Sequence, residues 1–108
     1  MWIFCNDSYV SIVAHTGKPG MLLVRARKAG DIEALFPGAK PKRTPDHDYA
    51  FRVELPAHQA GRVLGDRIAA INYPNFKDSV KDSARGAAYM RVWTVMQRWG
   101  RLSGGVSP

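Results

Sequence analysis

The sequence predicts an α+β fold: a small, mostly antiparallel sheet, in the element order β-β-β-α-β-α-α, with two main helices packed on one face. Three observations lead there. "DYAFRVEL" (48–55) alternates apolar and polar residues as a half-buried strand does. "AHQAGRVLGDRIAAIN", behind Pro56, carries apolar residues at helical spacing. The chain before residue 28 holds short apolar runs broken by turn residues, which suits strands rather than a long helix.

Each element follows in order. "WIFC-ND-SYVSIVA" reads as two strands around the Asn6-Asp7 turn, or as one strand with a bulge. "HTGKPG" is loop, and "MLLVRAR" is a third strand ending in the alternating cations Arg25 and Arg27. "GDIEALFPG" is a short helix with Asp31 as N-cap and Pro37-Gly38 as its stop. "AKPKRTPDH" has no hydrophobic period and reads as an exposed, partly extended connection. In the strand that follows, Tyr49, Phe51, Val53 and Leu55 share the core face, with Ala50, Arg52 and Glu54 opposite. The passage from 21 to 55 leaves room for one parallel pair.

The helix after Pro56 runs to about Asn72, with Ala60, Val63, Leu64, Ile68 and Ile71 as its buried stripe. Ala57, Gly61, Gly65 and Ala69 form a second line of small residues, which admits close approach by another backbone. Pro74 stops this helix, and Ser79-Val80-Lys81-Asp82 matches a capping box for the next. Tyr73 and Phe76 suit plugs under the connecting loop, whereas Asn75, Lys77 and Asp78 have no local explanation. Tyr73, Asn75, Phe76, Lys77 and Asp78 are therefore a loop-site candidate. Lys81 and Arg85 extend the apolar stripe at its edge. The last helix ends near Trp99, with Ala88, Tyr89, Val92, Trp93, Val95, Met96 and Trp99 on one face. Residues 1–102 are expected to form one domain and 103–108, "SGGVSP", a flexible tail.

Composition bounds the function. The 108 residues are 45% hydrophobic and 23% charged, an ordinary globular balance. The apolar N-terminus has no basic start and is broken at Asn6-Asp7-Ser8, so neither a signal peptide nor a membrane span is expected. The single Cys5 allows no internal disulfide and suits a cytoplasmic setting. The net charge of +7 is uneven: residues 18–45 carry +5 and 77–108 carry +4, and the remaining stretches are slightly acidic.

No phosphate loop, zinc pattern or nucleophile elbow is present. Asp46-His47-Asp48 has potential metal ligands, but neighbours on a strand point to opposite faces, so no metal or cofactor is expected. Cys5 lies in an apolar run and reads as a small buried hydrophobe rather than a nucleophile. An enzyme would need Cys5 with a histidine, or the Asn75–Asp78 group, in one pocket.

The leading expectation is a small basic, non-enzymatic binding or regulatory module acting on nucleic acid or a nucleoprotein complex. Its anion-binding residues would be Arg25, Arg27, Lys40, Lys42, Arg43, Lys77, Lys81, Arg85, Arg91, Arg98 and Arg101. "RVWTVMQRWGR" suits stacking on unpaired bases only if Trp99 is exposed. The sequence lacks a ribonucleoprotein-type aromatic signature. The alternative is a phage- or mobile-element-type inhibitor that uses the same cations against an acidic protein surface. Either a monomer or a homodimer accommodates these readings.

Overall fold

The computed structural model describes residues 1–102, so the expected tail at 103–108 lies outside the described residues. They fall into two compact units, one ending at Asn72 and one beginning at Tyr73. The first holds β1 (Trp2–Phe4), β2 (Tyr9–Ala14), β3 (Met21–Ala26), α1 (Asp31–Leu35), β4 (Lys42–Arg43), β5 (Phe51–Pro56) and α2 (Ala57–Ala69). The second holds α3 (Phe76–Ser79) and α4 (Ser83–Leu102). The α+β class stands, with two short elements added to the expected order: β4 in the proline-flanked connection and α3 in the inter-helix loop.

The five strands form one sheet, β1-β2-β3-β5-β4, in which every pairing is antiparallel. No parallel pair forms, because α1 and its flanking loops return the chain beside β3 in the opposite direction. Register then sorts the side chains. Val10 and Ile12 of β2, Val24 and Ala26 of β3, and Leu55 of β5 join Ile32, Leu35, Phe36 and Ala60 in the core. Thus α1 and α2 pack on a single face of this sheet.

A five-residue helix has almost no stability of its own. α1 exists because Ile32 and Leu35 are fully buried, each contributing roughly 1.5–3 kcal/mol. Its N-cap is Gly30, at φ 91°, a left-handed conformation that glycine adopts without steric cost. Asp31 is therefore not the cap. It is the first helical residue, and its buried carboxylate accepts the Tyr9 N–H at 2.9 Å. From α2, Arg67 donates to the Ala34 carbonyl and to Asn6 and Asp7, tying the helix to the first hairpin turn and to α1.

The stripe of α2 is shorter than its period suggests. Ala60 is buried and Val63 and Leu64 pack against the core, but Ile68 and Ile71 are exposed, at 68% and 51%. The small-residue line is also uncovered: a Cβ added at Gly61 or Gly65 would meet nothing within 4 Å. Close packing does not explain these glycines.

In the second unit, Asn75 caps α3, its side chain accepting the Asp78 N–H at 3.2 Å. The expected capping box does not form. Ser79 instead donates to the Phe76 carbonyl, and Asp82 caps α4 by accepting the N–H groups of Ala84 and Arg85. α4 continues through Gly100 to Leu102, one turn further than the sequence suggests.

Candidate nucleic-acid interface

The second face of the sheet is covered by neither helix of its unit, and cations and aromatics collect there. The strand registers align one row across all five strands: Trp2 opposite Ser11, Ser11 opposite Arg25, Arg25 opposite Arg52, and Arg52 opposite Lys42. At about 4.8 Å per strand the row spans about 19 Å. Three of its five members are cations on adjacent strands. Like charges directly opposed across strands are unfavourable, so this arrangement works against folding.

Arg25 is fixed at one end of the cationic stretch. Its Nη2 donates to Ser11 Oγ at 2.8 Å, and its guanidinium lies 4.5 Å from the centre of the Tyr49 ring. Arg27 covers the same ring at 4.4 Å and forms an ion pair with Asp48 at 2.7 Å. The hydrogen bond from Arg27 holds the Asp48 carboxyl below its ordinary value, and Asp48 in turn raises Arg27. Burial pushes the Tyr49 phenol up, but hydrogen bonds with Tyr9 and Ser11 and the Arg27 charge outweigh it and lower it.

These contacts correct the expected position of Tyr49. It is buried, but against the cations rather than in the core with Phe51. β5 begins at Phe51, so the alternation does not extend back through the turn residues to Tyr49.

Arg52 is the centre of the cationic stretch. It is half-buried, and its Nε is buried without a hydrogen-bond partner. Among the described residues Arg52 forms no ion pair; its cross-strand neighbours are Arg25 and Lys42. An open cleft of about 420 Å³ adjoins it, lined by residues that include His15, Lys40, Lys42, Thr44, Arg52 and Glu54. Glu54 is occupied. Lys18 donates to both its oxygens, at 3.1 and 2.9 Å, and this bonding lowers its carboxyl. His15 Nδ1 accepts the Gly17 N–H, leaving Nε2 to face Glu54 at 3.3 Å. The cleft's one carboxylate is thus neutralised, and the charge left over is positive.

At the other end of the row, Trp2 is 68% exposed and its indole makes no ring contact or side-chain hydrogen bond among the described residues. Phe4, on the same side of β1, stacks on Tyr9 at 4.6 Å.

The residues expected to bind anions therefore divide. Arg25, Arg27, Lys40 and Lys42 gather at the open face and its cleft. Arg43 pairs opposite Phe51 and so alternates to the other side of β4. Arg52, His15, Tyr49 and Trp2 also belong to the face, and none of them is among the residues that the sequence marks as anion-binding. Alternation puts Arg52 away from the core, but only the register reveals what it opposes.

In the second unit, each of the loop candidates makes a local contact. Phe76 stacks on Tyr89 at 5.8 Å, with Tyr73 packed against it at 6.1 Å. Lys77 lies 5.3 Å from the Trp93 ring centre, Lys81 donates to the Asp78 carbonyl, and Arg85 covers Tyr89. Asn75 and Asp78 share a cap bond. Local structure thus engages all five loop-site candidates. On α4, Trp93 and Trp99 are exposed, at 47% and 60%, as are Val92, Val95 and Met96. The apolar face of α4 is not a buried one, and Trp99 meets the exposure condition for stacking. Arg91, Arg98 and Arg101 run along this helix, which has no acidic residue from Ser83 to Leu102.

No helix among the described residues is long and apolar enough to cross a membrane. No protein-family model matches the chain, and neither does any curated protein or solved structure.

Proposed function

We propose that this chain is a small nucleic-acid-binding module whose contact surface is the open face of the sheet. One observation carries the reading: Arg52, half-buried and without an acidic partner among the described residues, sits directly between two further cations in register. A fold keeps opposed like charges against their mutual repulsion when a bound anion neutralises them. Phosphodiesters supply such anions at regular spacing, and planar guanidinium groups match their oxygens in bidentate geometry. Lys40 and Arg27 extend the field around the row, and the net charge of +7 steers a polyanion toward it.

α4 offers a second surface of similar character, since its arginines lie beside exposed tryptophans. The two are separable by mutation. Anisotropy titrations of labelled oligonucleotides at two salt concentrations would compare wild type with Arg52→Gln and with Arg91→Gln/Arg98→Gln. The sheet-face reading expects Arg52→Gln to weaken binding and to reduce the salt slope by about one. Loss of binding only in the α4 variant would move the interface there. No binding by wild type at low salt would reject nucleic acid and leave the acidic-protein alternative.

A further inference from the structure

The same row that presents the cations ends in an exposed aromatic, and this specifies the form of the ligand. Resting on the reading above, we infer that the face takes a single strand, with its phosphates on Arg25, Arg52 and Lys42 and an unpaired base stacked on Trp2. The geometry is set by the registers, which place Trp2 on the row's edge strand, two strands from Arg25. That is about 10 Å at ordinary strand spacing. A flexible strand can cross this distance from its phosphates to one of its bases. A duplex offers the same phosphates but keeps its bases stacked inside, so Trp2 would have nothing to receive.

Trp2 is shaped for this role by what it lacks. A large indole exposed on an edge strand, with neither a ring partner nor a side-chain hydrogen bond among the described residues, contributes little to the core. The Phe4–Tyr9 stack flanks it on the same side of the sheet. Ser11, the residue between Trp2 and Arg25, is buried and already bonded to Arg25, so it adds little selectivity of its own. The full row, about 19 Å, matches roughly four to six nucleotides at stacked to moderately extended spacing. Stacking tolerates any base, so the expected preference is for single strands rather than for a sequence.

The test uses three fluorescein-labelled probes: an oligothymidylate octamer, an abasic octamer with the same phosphates, and a DNA duplex of eight base pairs. Wild type should bind the thymidylate roughly five- to a hundredfold more tightly than the abasic strand. Trp2→Ala should reduce thymidylate affinity to the abasic level and leave abasic binding unchanged, and Trp2→Phe should keep most of the difference. Arg52→Gln should weaken both single-stranded probes. If Arg52→Gln weakens both but Trp2→Ala changes neither, the stacking inference fails and the anion-binding surface stands. If Arg52→Gln changes neither, the anion-binding reading fails. Equal affinity for duplex and thymidylate, or loss of the base-dependent difference in Trp99→Ala alone, would also overturn the inference.

Discussion

Removing the charge of Arg52 should stabilise the protein while weakening the proposed nucleic-acid binding. The registers oppose Arg52 to Arg25 on one side and to Lys42 on the other, so Arg52→Gln relieves two unfavourable pairs at once. Directly opposed like charges are worth about 0.2–1 kcal/mol per pair. Coulomb's law gives a similar figure, about 0.7 kcal/mol for unit charges ~6 Å apart in water. Lys42 is exposed and can swing outward, which reduces its share. Arg25 cannot do so freely, because Ser11 and Tyr49 hold its guanidinium. Gln also leaves no buried, unbonded Nε, although it forfeits part of the packing of the arginine stem. The net expectation is a gain of about 0.5–1.5 kcal/mol at low salt, or roughly 2–12 °C in the unfolding midpoint for a unit of this size. Urea unfolding followed by circular dichroism, at about 20 mM and about 500 mM salt, measures it. The gain should shrink to less than half at high salt, where the screening length falls to about 4 Å. A loss of stability of about 1 kcal/mol or more at both salts would refute the reasoning, because it would make Arg52 a structural contact rather than a strained one.

The glycines of α2 should be replaceable: Gly61→Ala and Gly65→Ala meet open space and remove backbone entropy, so each should stabilise by about 0.5–1 kcal/mol in thermal unfolding. Asp82→Ala removes the α4 cap bonds to Ala84 and Arg85 and should cost about 0.5–2 kcal/mol, seen as lost helical signal on mild heating. Acid sensitivity should trace in part to Glu54. Hydrogen bonding from Lys18 favours its ionised form, so its contribution is full above the ordinary carboxylate range and is lost as pH falls through the lowered folded value. Glu54→Gln should flatten that part of the acid limb in pH-dependent urea midpoints, and an unchanged limb would exclude Glu54 as a source.

The sheet was readable where both faces have settled environments. Alternation located β5, apolar runs bounded by turn residues located β2 and β3, and Pro56 marked the start of α2. The two residues of β4 have no period to read; they become strand only by pairing with β5. Tyr49 misled because a period of two, counted back from Phe51, runs past the strand's true start. Ile68 misled differently: a helix face looks the same in sequence whether it meets a core or water. The cationic face was half legible. Alternation turned Arg25 and Arg52 away from the core, but their opposition, and their line with Trp2, depends on registers set by the geometry of the connecting loops.

The most direct test of the central claim is the affinity of wild type and Arg52→Gln for the thymidylate octamer, titrated at about 50 and 200 mM salt. A polyanion interface centred on Arg52 predicts salt-sensitive binding by wild type, with weaker binding and a shallower salt slope in the variant. Identical affinities and slopes for the two proteins would contradict it.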